Sequence, residues 1–473
     1  MRSMDGDSDV TEVDDLLAQV AEASRRYLHS LGDRSVRAEL TVAEVQESMD
    51  PCLADDGGEA TDVLGELIRL GEMATVATAG PRYFGFVTGG ALPVALAAEM
   101  LAVAWDQNAA LAVMSPLAAV TEEIAGGWIK SLLGLPAAAS IGFVTGGHAA
   151  NITCLATARH HVLAARDWDV ETRGLRDSPP VHCIVGADRH TTVDAAFRSI
   201  GFGTPDVIID TDEQGRMSKG SLIEALRSCD GPTILSLQAG NVVTGAFDSF
   251  EELVALAHAA GAWVHVDGAF GAWAAASPAY RHLTTGMAGA DSWAVDGHKL
   301  LNVPYDCGYA ITAHPDSHLR TCASTASYLD TGGTDEPRDG MAWVFELSRR
   351  ARGVATYAAL RSLGRRGVAA LVERCSRNAQ RFARLVCAEP GIEVLNDVVF
   401  NQVAVRFGDS DEQTHAVISA VQAEGTCWAG GASWHGKAVM RWSVSNWSTT
   451  PVDIDRSAQA VINAHRAEDI QHG

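Results

Sequence analysis

From residue 13 to about 48 the apolar residues recur at helical spacing: Leu16, Leu17 and Val20, then Leu28 and Leu31. That repeat of three and four puts one stripe of a helix against a core. Residues 62–70 continue the helical pattern, with Thr61 as N-cap. Further on the period shortens. VHCIVG (181–186), DVIID (206–210), TILSLQA (233–239) and the apolar run 262–266 read as strands. SLIEAL (221–226) and EELVALAHAA (251–260) between them read as helices, the second stopped by Gly261. Strand–helix alternation of this kind predicts an α/β fold whose mostly parallel sheet is covered on both faces. Asp248, three residues before Glu251, reads as a capping pair for the second helix. The rhythm then changes again. Helices are predicted over 341–365, 368–387 and 452–464, with strands near 398–407 and 438–444, which fits a compact α+β lobe.

Composition narrows the class. Hydrophobic residues make up 47% of the 473 and charged residues 20%, which describes a globular chain with more than one packed unit. The formal net charge of -23 argues against nucleic acid or an anionic membrane surface as partner. The longest apolar stretch, ALPVALAAEMLAVAW (91–105), is interrupted and short for a membrane span. Nine cysteines lie scattered with no C-x-x-C, and the acidic N-terminus has no signal-peptide pattern. Together these point to a reducing cytoplasm. No metal-ligand spacing stands out, and His160-His161 read as helix-surface residues.

Three stretches carry chemistry. In AWVHVDGAFG (262–271) a buried strand ends on Asp267, where open α/β sheets place ligands. In AVDGHKLLNVPYDCG (294–308) a lysine, Lys299, follows His298 after a turn-prone Asp296-Gly297. Taken singly, Asp267 is equally a turn residue and Lys299 a solvated cation. Taken together, a strand-end acid and a lysine beside a histidine form a pair that pyridoxal phosphate can use. In IGFVTGGHAANITCLATARHH (141–161) an apolar strand leads through Gly146-Gly147 into a helix starting near Ala149, whose free amides and dipole suit a phosphate. The loop has neither the Gly-Lys-[Ser/Thr] of a nucleotide P-loop nor a hydrolase elbow.

These residues resemble the core of the pyridoxal-phosphate-dependent group II amino-acid decarboxylases, which include aromatic-L-amino-acid, glutamate and diaminobutyrate decarboxylases. The resemblance runs from about residue 60 to 465. It implies the aspartate-aminotransferase-like fold type I, with a seven-stranded, mostly parallel sheet. It further implies an N-terminal helical dimerisation segment (1–80), a cofactor-binding large domain (81–345) and a small α+β domain (346–473). By the same resemblance Lys299 is the Schiff-base lysine and Asp267 the partner of the pyridinium nitrogen. His298 lies beside the phosphate and Ala269 against the ring. Gly147, His148 and Ala149 hold the phosphate, with His148 in place of the usual small or hydroxyl residue. His190, in DRHTTVDAAF, stacks on the ring. Asn241, in AGNVVTGAFD, takes a threonine place and contacts the cofactor.

The substrate side follows in the same way. GPRYFGFVTGG (80–90) resembles the family's pocket stretch, with Gly80 where a histidine is usual, so Phe86, Val87 and Thr88 are pocket walls. Asn108 and Ala110 fall where aromatic decarboxylases carry bulkier apolar residues. Arg441 aligns with an arginine that contacts the substrate carboxylate in glutamate decarboxylases. A sheet-surface charge is the other reading of it. Tyr328-Leu329 resembles the loop that closes over the partner subunit's site, whose tyrosine returns a proton to the substrate carbon after carbon dioxide leaves. The expected activity is thus decarboxylation of an L-amino acid to its amine by a cytoplasmic homodimer with shared sites. Two rivals stand beside it: oxidative aldehyde formation with the same cofactor, and a catalytically silent binding protein on the same fold.

Overall fold

The computed structural model describes residues 6–323 and 338–472. Seven strands form the larger of its two sheets: β1 (Ser140–Val144), β2 (His182–Gly186), β3 (Val207–Ile209), β4 (Thr233–Gln238), β5 (Trp263–Asp267), β6 (Ser292–Asp296) and β7 (Gly308–Thr312). Their spatial order is β1-β7-β6-β5-β4-β2-β3. Only β7 runs against its neighbours. The chain lays β1 at one edge, crosses by the helix Gly147–Ala164 to β2, and returns through β4, β5 and β6. Six strands therefore end at the same edge, the edge at which open α/β sheets bind ligands. The Gly146-Gly147 turn after β1, His190 after β2, Asp267 closing β5 and Asp296 closing β6 all lie along it.

The central strands are short and apolar because both faces are covered. Every residue of β1, β5, β6 and β7 is buried. The helix Gly147–Ala164 packs across β5, β6 and β7. The polar side chains that these strands bury, His265 and Ser292 among them, must therefore find partners inside the protein.

The smaller sheet is antiparallel, ordered β10-β11-β9-β8, from β8 (Ile392–Val394), β9 (Gln402–Phe407), β10 (Gly430–Trp434) and β11 (Lys437–Ser443). One long helix, Arg352–Val386, joins the two halves and kinks at Gly364 (φ 60°, ψ 178°). It packs on the helices Pro93–Ala104 and Pro116–Leu132 and on the last helix, Pro451–His472.

Several boundaries differ from the sequence expectation. The helix predicted from 341 begins at Arg352, after a single 3₁₀ turn at Gly340–Trp343. Arg349 anchors the segment before it, its guanidinium meeting the Glu122 carboxylate at 2.6 and 2.9 Å. Asp248 caps no helix. Its buried carboxylate accepts the N–H of Met217 (2.8 Å) and of Gln238 (2.7 Å), tying the 211–217 turn to β4. Burial pushes its pKa up to about 6. Thr61 does not cap either, because the helix begins at Ala60 after Glu59. The helix Asp411–Glu424 was not expected, although a Ser410–Gln413 capping box opens it and Gly425 (φ 83°) closes it. No helix among the described residues is long and apolar enough to cross a membrane.

Candidate active site

Lys299 stands in the turn that follows β6. Asn302 fixes that turn by donating to the carbonyls of Lys299 (3.0 Å), Leu300 (3.1 Å) and Ser445 (2.9 Å). A Cβ on Gly89 would meet the Lys299 carbonyl oxygen at 2.1 Å, so the 85–90 loop can press on this turn only through a glycine. The Lys299 Nζ lies 3.0 Å from Asp296 Oδ2. Asp267, 8% exposed at the end of β5, accepts the Ala269 N–H on Oδ1 (3.2 Å) and the Asn151 amide on Oδ2 (3.3 Å). Asp267 and Lys299 line one cavity with Gly147, His148, His190 and Ala269.

His190 caps the helix Thr191–Ser199. Its Nδ1 accepts from the Thr192 N–H (3.3 Å) and lies 2.7 Å from the Thr192 hydroxyl, so Nε2 carries the proton of the neutral ring. Desolvation pushes its pKa down, opposed by the charge of Asp267 and helped by Lys299 and Arg441. The ring is therefore neutral at pH 7. His298 packs against the glycine turn: a Cβ on Gly146 would meet its Cε1 at 2.9 Å. Its Nδ1 accepts the Cys307 N–H (3.2 Å), its ring stacks on Tyr305 (4.4 Å between centroids), and burial lowers its pKa.

Other expected residues do not line this cavity. Asn241 is fully buried. Its amide donates to the Asp188 carbonyl (2.9 Å) and accepts from Val243 (2.8 Å) and Thr244 (3.1 Å). It shapes the 239–248 turn, and Gly240 and Val242 face the cavity instead. Val87 and Thr88 are buried beside the lysine turn, Val87 in the main core. Phe86 is exposed, 5.4 Å from Trp428 and 5.9 Å from the Arg441 guanidinium. Asn108 and Ala110 pack on the segment leading to the long helix, Asn108 by accepting the Arg349 N–H (3.2 Å) and Ala110 by accepting that of Met341 (3.0 Å). Tyr328 lies outside the described residues.

Three functional residues escaped the sequence reading. Asp296, 2% exposed, accepts the Gly147 N–H (2.5 Å) on Oδ1 and pairs with Lys299 on Oδ2. Its signal was present, an acid closing a strand three residues before the lysine. Asn151 and His265 hold Asp267 from behind. Only a buried amide on an otherwise apolar helix face hinted at the first.

The side chains fit a phosphorylated pyridine aldehyde. An amine stands at one end of the cavity, a carboxylate for a ring nitrogen at another, and the start of the helix Gly147–Ala164 at a third. The first amides of a helix have no partners within it. Asp296 occupies that of Gly147, which leaves those of His148 and Ala149 for a phosphate.

Comparison with known proteins agrees. The sequence profile of the pyridoxal-dependent decarboxylase conserved domain matches residues 45–407. Human cysteine sulfinic acid decarboxylase is 29% identical over 292 residues, 60% of this chain, and the match spans only 58% of that protein. L-aspartate decarboxylase dtxS4 of Metarhizium robertsii is 26% identical over 361 residues, 74% of this chain and 71% of that one. The crystal structure of mouse cysteine sulfinic acid decarboxylase in its apo form superposes with a TM-score of 0.88 at 22% identity, covering 97% of this chain and 99% of that one. At that identity the likeness speaks for the fold.

Proposed function

The chain belongs to the pyridoxal-dependent decarboxylase family, and from that premise we propose that it removes the α-carboxyl group of an L-amino acid as carbon dioxide and releases the amine. One observation carries the reading: the Lys299 amine and the Asp267 carboxylate open on a single cavity beside the glycine turn. When bound, pyridoxal 5'-phosphate supplies an aldehyde within reach of an amine and a ring that accepts the electron pair left by carbon dioxide. Lys299 is the residue that would hold it.

Asp267 keeps the ring nitrogen protonated. An adjacent opposite charge shifts a pKa by roughly one to three units, about 1.4–4 kcal/mol in favour of the protonated ring. Asp296, 3.0 Å from the Lys299 amine, would keep that amine in place when it is free. His190, neutral and lining the same cavity, would hold a face of the ring. His148 and Ala149 hold the phosphate from the helix start, with Gly147 shaping the turn, and Ala269 and His298 close the cavity around it. Tyr328, outside the described residues, would by the family resemblance return a proton to the substrate Cα.

For the substrate, Arg441 offers a cation. It is half-buried, desolvation lowers its pKa, and no carboxylate among the described residues pairs with it. Two relatives are named for cysteine sulfinic acid and L-aspartate, which favours an acidic amino acid held by Arg441. Of the other residues expected on the substrate side, Phe86 lies 5.9 Å from the Arg441 guanidinium, while Val87, Thr88, Asn108 and Ala110 would act only as supports behind the cavity. A homodimer with shared sites is supported by the apolar groove along the helices Gly6–Ser30 and Ala60–Ala74, lined by Leu28, Leu31, Ile68, Val76, Leu96 and Trp447. Nine free cysteines support a reducing cytoplasm.

A panel of amino acids, acidic ones first, with amine scored by mass spectrometry and carbon dioxide by release assay, tests the proposal. Amine and carbon dioxide in equal amounts are expected. Aldehyde with ammonia and peroxide would replace the decarboxylase by the oxidative reaction, and no turnover of any amino acid would refute both.

A further inference from the structure

Behind Asp267 a single file of hydrogen bonds runs through the sheet. The Trp263 indole N–H donates to Ser292 Oγ (3.0 Å), Ser292 Oγ meets His265 Nδ1 (2.9 Å), His265 Nε2 meets Asn151 Oδ1 (2.8 Å), and the Asn151 amide donates to Asp267 Oδ2 (3.3 Å). The four supporting side chains are at most 3% exposed, so water does not exchange with these bonds.

Both ends of the file have fixed polarity. An indole nitrogen can only donate and a carboxylate can only accept. Asn151 must turn its NH₂ toward Asp267, because the opposite flip would set two acceptors face to face. Its Oδ1 therefore faces His265, and His265 donates from Nε2. Nδ1 is then an acceptor, to which the Ser292 hydroxyl donates. Burial favours the neutral ring, pushing the His265 pKa down to about 3. Every donor points toward Asp267, and no group has a second proton to pass on. The file sets orientation and carries no proton.

We propose that His265 is a positioning residue for the cofactor site: through Asn151, and held in one tautomer by Ser292, it fixes the rotation of the Asp267 carboxylate so that the remaining lone pairs meet the ring nitrogen of pyridoxal phosphate. The Ala269 N–H on Oδ1 supplies the second point of the same clamp. Without the file, Asp267 keeps its place at the end of β5 but loses its angular setting, and charge-assisted hydrogen bonds depend on that angle. The inference rests on the proposed function only in requiring that the cofactor bind.

The test uses the full chain loaded with pyridoxal phosphate carrying ¹⁵N in its ring. In His265→Phe, which keeps the ring volume, the ¹⁵N resonance is expected to move toward that of the unprotonated ring. The cofactor dissociation constant should rise at least about tenfold, and kcat should fall with KM little changed. His265→Gln, which restores a donor toward Asn151, is expected to recover most of the resonance shift. An unchanged resonance and dissociation constant in folded His265→Phe would overturn the proposal. Should that variant not fold, Ser292→Ala decides: a smaller move in the same direction supports the file, and no move refutes it. A wild-type chain that bound no cofactor would refute the function itself, so the two failures are distinguishable.

Discussion

At the scale of single residues, two neighbouring acids have separate surroundings. Asp296 faces the lysine, while Asp267 would face the ring nitrogen of the proposed cofactor, although both close adjacent parallel strands. Asp267→Asn keeps the shape and removes the charge that holds the ring protonated. A loss of two pKa units of preference corresponds to roughly a hundredfold, so kcat is expected to fall about 100-fold or more at unchanged cofactor content, checked by steady-state kinetics beside a cofactor assay. Tyr328→Phe is expected to divert product from amine to aldehyde, read by mass spectrometry of the reaction mixture. Equal amine yield from the mutant would remove Tyr328 from the mechanism.

At the scale of elements, the phosphate turn is held by what it touches. A Cβ on Gly308, the first residue of β7, would come within 2.5 Å of the Gly146 Cα. The obstacle is backbone, which cannot swing aside as a side chain could. Gly308→Ala is therefore expected to shift the turn, weaken cofactor binding several-fold and cost about 1–3 kcal/mol of stability, measured by cofactor titration and denaturant unfolding. The Glu122–Arg349 pair sets where the long helix begins. With side chains 7% and 1% exposed, removing Arg349 alone leaves a buried carboxylate, and Arg349→Met is expected to destabilise by about 3–5 kcal/mol. These same elements mark what the sequence could tell. β5 was legible because an apolar run stops on an acid, and Lys299 because a His-Lys pair follows a turn. The local pattern suggests a cap at Asp248 and a helix from 341, but partners distant in sequence, Met217 and Glu122, outweigh it and the long helix starts only at Arg352. The file behind Asp267 was invisible for the same reason. His265 and Asn151 are 114 residues apart, and no periodicity links a strand histidine to a helix amide.

At the scale of the whole molecule, buried titratable groups set how stability responds to acid. His265 and His318 are both pushed by burial to about 3. Unfolded, each takes up a proton near pH 6.5, so between that pH and about 3 the unfolded chain binds more protons and stability falls as pH falls. Asp248, raised to about 6, acts in the opposite sense, contributing stability that is lost as pH rises from about 4 through 6. Two histidines outweigh one acid, and each group contributes up to about 1.4 kcal/mol per pH unit. His318 lies 2.9 Å from both Ser140 Oγ and the Trp343 carbonyl. His318→Gln is expected to flatten the dependence of melting temperature on pH between 6.5 and 4, and a slope equal to wild type would show that this histidine is not buried in its neutral form.

The proposed chemistry depends on which lysine is joined to the cofactor, and one measurement addresses that directly. The cofactor-loaded chain is reduced with borohydride, digested and sequenced by mass spectrometry. The peptide containing Lys299 is expected to carry the added mass of the reduced cofactor, and Lys299→Ala to carry none and to lose the visible absorbance. An adduct on a different lysine, or an undiminished spectrum in the mutant, would contradict it.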